Sequence, residues 1–161
     1  MPERMIQFDR IRIEALPRWA FFPLGQLVVA RPRTRVGAMK LSLRYTCGMP
    51  PPLSHMDSFQ IAQQFLEDPE SPDCATIERI ATGARLIGAA NFLTDSSYYR
   101  LWYVHEADCL VSAIYGCKCV RRREPDAVNE VMDCHRIVTT LQITGLAPDE
   151  PAAAIALELH A

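Results

Sequence analysis

Three pairings in this sequence have the donor types of a metal site: Cys117 with Cys119, Cys134 beside His135, and His105 near Cys109. Thiolate and imidazole are the ligands zinc favours. Their spacing argues against a closed site. A turn that aims two sulfurs at one ion needs roughly two to four residues between its cysteines, and Cys117 and Cys119 have one residue between them. On a strand they would share a face about 7 Å apart, long for two thiolates on one zinc. Nucleophilic catalysis would need a serine or cysteine with a base and an orienting group. His55, His105, His135 and His160 sit respectively beside a proline-rich loop, at a hairpin, on a helix face and in the tail, and no spacing ties any two of them. The sequence also lacks a Gly-x-Ser-x-Gly elbow, a phosphate-cradling glycine loop and a His-Glu-x-x-His helix. No catalytic residue, metal ligand or cofactor site is therefore assigned.

Recognition chemistry has better candidates. Arg31, Arg33 and Arg35 alternate around Pro32, with Lys40 and Arg44 nearby. If that stretch is extended, the three guanidiniums point one way, a geometry suited to carboxylate or phosphate. Arg121, Arg122 and Arg123 form a second cluster just before a helix start, where positive charge opposes the helix dipole and invites a compensating partner. Both patterns also occur on solvated loop rims. Among Tyr98, Tyr99, Trp102 and Tyr103, Trp102 is the aromatic expected to face a groove, because such anchors dominate binding hot spots. The partner-binding candidates are thus Arg31, Arg33, Arg35, Arg44, Trp102, Arg121, Arg122 and Arg123.

The elements that carry these residues read as follows. Segments 11–15, 26–30 and 38–45 are strands, the last alternating Met39, Leu41, Leu43 and Tyr45 with Lys40, Ser42 and Arg44. Pro50, Pro51 and Pro52 forbid helix and central strand. A helix over 55–67 follows, with Ser54 and Asp57 at capping-box spacing. Segment 72–83 fits either a helix start or a strand. Strands over 85–93, 98–105 and 109–119 make an antiparallel meander. Pairing His105 with Cys109 puts Tyr99, Leu101, Tyr103, Val111, Ala113 and Tyr115 on one face and Trp102, Val104, Leu110 and Ile114 on the other. A helix begun at Pro125 covers one side through Val128, Val131, His135 and Val138, and a short strand ends it near 141–143. Residues 1–145 then form a single α+β domain, and 146–161 a tail or short docking helix capped by Asp149.

Composition agrees with a packed domain. The 161 residues are 49% hydrophobic, and 17 basic against 19 acidic side chains give a net charge of −2. That balance offers no global attraction to nucleic acid or anionic lipid. Charges recur every few residues from Met1 to Asp9, so no secretory leader is expected, and no apolar run approaches a membrane span. The expected compartment is the cytoplasm, where Cys47, Cys74, Cys109, Cys117, Cys119 and Cys134 serve as buried apolar residues or free thiols.

The order of elements resembles the PsbP-like fold family, which includes bacterial DcrB-type proteins and, in its broad class, the Eag-type chaperones of type VI secretion. The likeness rests on Leu16-Pro17-Arg18-Trp19, the strands Arg100 to Val104 and Leu110 to Tyr115, and a closing helix running into Ile137 to Leu141, within a span from Arg10 to Ile143. The chain is expected to depart from exported members, with no leader or lipid-attachment cysteine near its start. The resemblance implies an antiparallel sheet of five to seven strands flanked by helices, and a binding or assembly role. The expected function is a non-enzymatic, cytosolic bacterial immunity or adaptor protein of a toxin or secretion system. The alternatives are an Eag-like effector chaperone, and a small enzyme or ligand carrier. The expected partner is another protein, a toxin or an effector, with a homodimer as the further assembly to consider. An immunity protein predicts a charged face, a chaperone an exposed apolar groove, and an enzyme a deep pocket with convergent polar groups.

Overall fold

The computed structural model of the protein describes residues 4–46, 56–67, 76–83, 85–106 and 108–144. The proline run and Ser54, the start of the segment 72–83, and the tail from 146 lie outside them. The chain order is β1 (Met5–Phe8), β2 (Ile11–Glu14), β3 (Trp19–Leu24), β4 (Leu27–Pro32), β5 (Gly37–Tyr45), α1 (Ser58–Glu67), β6 (Thr76–Thr82), β7 (Arg85–Leu93), β8 (Ser97–Glu106), β9 (Cys109–Lys118), a 3₁₀ turn (Cys119–Arg121), α2 (Pro125–Thr140) and β10 (Gln142–Ile143). This is the α+β, antiparallel architecture expected, with two sheets in place of one. The larger has seven strands in the order β3-β4-β5-β9-β8-β7-β6, and the smaller three in the order β1-β2-β10. The ambiguous segment resolves as β6, which forms an edge.

Side-chain alternation gives the large sheet two faces. One carries Val28, Ala30, Met39, Leu41, Leu43, Val111, Ala113, Tyr115, Trp102, Val104, Ile87 and Ala89, all buried. Helix α2 and the small sheet, through Ile11 and Ile13, complete that core. On the other face, among the described residues, helix α1 packs over β6, β7 and β8. Gly88 allows this approach, because a Cβ there would collide with the Ser58 backbone and Ala62. Helix α1 opens on a reciprocal cap: Asp57 Oδ1 accepts from the Gln60 N–H and Gln60 Oε1 from the Asp57 N–H, both at 2.8 Å. The capping partner of Asp57 is thus Gln60.

Two expectations are corrected. Glu106 pairs with Cys109 and His105 with Leu110, one step from the expected register, and a one-residue slip exchanges the faces. Asp108, at φ +59°, closes the tighter hairpin. In the observed register Trp102 lies between Ala89 and Ala113, small neighbours that leave room for the indole. Helix α2 is also rotated from its expected phase. Its buried residues are Ala127, Glu130, Cys134, Ile137 and Val138, whereas Val128 is 47% exposed. The helix is phased by an acidic side chain, Glu130, which an apolar count assigns to solvent.

Candidate surface for partner recognition

The basic cluster is held in place from beneath by Glu130. Its carboxylate is 2% exposed and accepts four hydrogen bonds. Oε1 receives the Thr34 hydroxyl at 2.5 Å and the Val36 N–H at 3.0 Å. Oε2 receives the Gly37 N–H at 2.8 Å and the Tyr115 hydroxyl at 2.5 Å. Burial and these contacts push the Tyr115 phenol far above its ordinary range, burial being the larger cause. Gly37 is required here, since a Cβ would lie 2.5 Å from the Gly116 carbonyl oxygen and from the Tyr115 ring. The clamp shapes the turn from Arg33 to Val36, in which Arg35 takes φ +53° and its N–H donates to the Pro32 carbonyl at 3.1 Å.

Arg31 therefore lies in β4, while Arg33 and Arg35 follow in a turn and not in the extended segment expected. All three are exposed and line one groove of about 500 Å³ with Ala20, Phe22 and Ala38. A second groove of about 340 Å³ continues from Ala38 past Lys40 to Tyr99 and Ile114. Together they run along the sheet face that α1 leaves open, across β3, β4, β5 and β9. The side chains directed outward there include Phe22, Leu24, Val29, Arg31, Lys40, Ser42, Arg44, Ile114 and Lys118, and no aspartate or glutamate projects from these four strands on that side. Phe22 is 51% and Leu24 62% exposed. Arg31 and Lys40 are diagonal neighbours across β4 and β5, about 7–8 Å apart at Cα. Lys40 and Arg44 share a strand face about 13 Å apart by the strand rise. Lys40 is legible in the sequence as a neighbour of the cluster, whereas Lys118, Phe22 and Leu24 join it only through the pairing of β3 and β9 with their neighbours.

The remaining candidates are placed elsewhere. Trp102 does not face a groove: it is fully buried, the Arg100 guanidinium lies 5.4 Å from its ring, and its indole N–H has no acceptor among the described residues. Arg100 itself bonds Glu78 at 2.9 Å and Asn91 at 2.8 Å, and its hydrogen bond is the main cause holding the Glu78 carboxyl below the usual range. Arg121 pairs with Glu124 at 2.9 Å, so the compensation expected at the start of α2 comes from within the chain. Arg122 donates to the Cys119 carbonyl at 2.8 Å; Arg123 is exposed. Since Gly37 pairs with Cys117, this second cluster follows β9 at the same end of the sheet as Arg35.

The candidate metal ligands diverge. Cys117 and Cys134 are buried thiols, raised by desolvation, and Cys119 sits in the 3₁₀ turn. His105 is engaged structurally, with Nδ1 2.6 Å from the Met56 carbonyl oxygen and Nε2 2.9 Å from the Thr46 hydroxyl. These contacts assign the ring proton to Nδ1. Among the described residues no three His, Cys, Asp or Glu side chains gather as a metal site, and no helix is long and apolar enough to cross a membrane.

No protein-family model matches the chain, and no curated protein sequence is significantly similar to it. Solved structures are. Cyanobacterial PsbP (CyanoP) from Synechocystis sp. PCC 6803 superposes with a TM-score of 0.53 at 9% identity, over 83% of this chain and 86% of that one. Mog1p, described as a Ran-binding protein of Saccharomyces cerevisiae, gives 0.56 at 10% identity, over 89% and 96%. A Bacteroides thetaiotaomicron protein gives 0.53 at 11% identity, over 84% of this chain and 46% of that longer one. At these identities the likeness is one of architecture, and the chain has a PsbP-like fold.

Proposed function

We propose that this protein is a non-enzymatic recognition module that binds an acidic protein surface through the open half of its large sheet. The observation that carries the reading is that face itself: Arg31, Lys40, Arg44 and Lys118 project from it with no carboxylate among them, on a chain whose net charge is −2. A locally positive surface on an acidic protein steers an acidic partner and rejects basic ones. That Mog1p, of the same architecture, is described as Ran-binding supports a protein partner. In biological setting we favour a bacterial immunity or adaptor protein of a toxin or secretion system, acting in the cytoplasm, because an inhibitor of a toxin needs a charged face of this kind and no turnover chemistry. Phe22 and Leu24 lend some support to the chaperone reading, but the cations beside them make the surface unsuited to a purely apolar segment.

The test compares the tagged wild-type chain with Arg31→Glu/Lys40→Glu/Arg44→Glu as baits in the native cell, with stoichiometric partners then measured in purified form. A partner that binds the wild type, weakens by at least about tenfold in the triple variant and weakens with added salt supports the reading. A partner held equally by both baits sinks it.

A further inference from the structure

Strand β3 is an outer strand of the large sheet, and its register reveals which backbone groups are free. The Arg33 N–H donates to the Arg18 carbonyl at 2.8 Å, and the Trp19 N–H turns outward to the Leu16 carbonyl at 3.0 Å. Trp19 faces Pro32, which has no N–H to give. Antiparallel alternation then assigns the ladder bonds to Ala20 with Arg31 and Phe22 with Val29. The N–H and carbonyl of Phe21 are left on the outer side, with the carbonyls of Trp19 and Pro23. Among the described residues no backbone bond closes this edge.

Grooves flank the edge on both sides. One, of about 740 Å³, separates β3 from the small sheet and is lined by Ile6, Leu16, Trp19, Phe21, Arg4 and Arg33 among others. The other is the 500 Å³ groove at Ala20, Phe22, Arg31, Arg33 and Arg35. Successive β3 side chains thus border alternate grooves, and an added strand would send its own side chains alternately into the two. Charge selects what those side chains are. Among the described residues the smaller groove has only arginines as its charged lining, and the one carboxylate lining the larger, Glu14, is already held by Arg136 at 2.5 Å.

We propose that an extended segment of the partner, alternating carboxylate and apolar side chains, adds to β3 and exchanges hydrogen bonds with Phe21. This rests on the protein-recognition reading above and extends it to the form the partner takes. A second copy of this chain is a poor occupant, because β3, from Trp19 to Leu24, has no carboxylate to offer the arginines that line these grooves. Pro23, with no donor to offer, restricts pairing to the stretch around Phe21 and limits indiscriminate edge association.

The test is amide exchange by NMR on the full chain with three short synthetic peptides: one alternating glutamate with valine, the same with lysine for glutamate, and the same with proline for valine. With the glutamate–valine peptide the Phe21 amide should exchange about tenfold more slowly, with a weaker effect from the lysine peptide and none from the proline peptide. If instead the perturbed amides are Lys40, Arg44 and Ile114, and the proline peptide acts equally, the edge proposal fails while the face reading stands. Equal protection by the lysine peptide overturns the acidic character of the segment. Protection of Phe21 that grows with protein concentration without peptide assigns the edge to a second copy and also overturns it, as does the absence of any change with all three peptides.

Discussion

Replacing Glu130 by alanine removes the acceptor for the Val36 and Gly37 N–H groups and the Tyr115 and Thr34 hydroxyls. Thr34 is exposed and finds water, so its loss is small. Val36 and Tyr115 are buried and Gly37 is half-buried, so three donors lose a partner where water has little access. A buried polar group left unsatisfied costs roughly 1–3 kcal/mol, which puts Glu130→Ala at about 4 kcal/mol. Glu130→Gln keeps one carboxamide oxygen, and the hydroxyls of Thr34 and Tyr115 can rotate to accept from its NH₂. The irreparable loss is then one backbone N–H facing another donor, about 2 kcal/mol. With a urea slope of about 2 kcal/mol/M the two midpoints fall by about 2 M and about 1 M. Tyr115→Phe alone should cost about 1.5 kcal/mol and far less in the Glu130→Ala background, because the two groups share one interaction. The reasoning is refuted if Glu130→Ala costs less than about 1 kcal/mol, or if glutamine and alanine are equally destabilising.

Further outcomes can be checked on the same purified chain. Arg35→Gly relieves a non-glycine residue at φ +53° and should leave the urea midpoint unchanged or raise it by up to about 1 kcal/mol equivalent, while weakening partner binding through the lost charge. Gly88→Ala should cost about 2–3 kcal/mol and expose α1 to proteolysis, because the obstructing atoms are the Ser58 backbone and cannot rotate away. His135 is depressed below 6.5, first by burial and then by the Arg100 charge. A depressed pKa contributes stability that is present above 6.5 and lost as pH falls through the folded value. The urea midpoint of the wild type should therefore drop on acidification from neutrality, and His135→Gln should flatten that first part of the drop. Glu78, held low chiefly by its bond to Arg100, contributes stability that is present above about its ordinary 4.5 and lost as pH falls below it, so Glu78→Gln should lower the urea midpoint at neutral pH and flatten the drop below about 4.5.

Local pattern determined much of this molecule. The alternation of Met39, Leu41 and Leu43 with Lys40, Ser42 and Arg44 suffices to define β5 and to say which side chains face water, because a strand's period is a property of its own backbone. The meander after Arg85 and the helix start at Pro125 are legible for the same reason. Strand β3 was hidden: Phe21, Phe22, Pro23 and Leu24 show no polar alternation, since one side lies on the core and the other on an open apolar surface. The phase of α2 was hidden because it follows Glu130, and a buried carboxylate is tolerable only where Val36, Gly37 and Tyr115 converge on it from distant strands. Trp102 was read as a groove residue because burial of β8 depends on register, and one step decides which side chains meet α2. The recognition surface divides in the same way. Arg31, Arg33 and Arg35 are visible as a cluster in the sequence. That they adjoin Lys40, Phe22 and the outer edge of β3, on the half of the sheet that α1 does not reach, is set by strand order and helix placement, which are properties of the whole chain's packing.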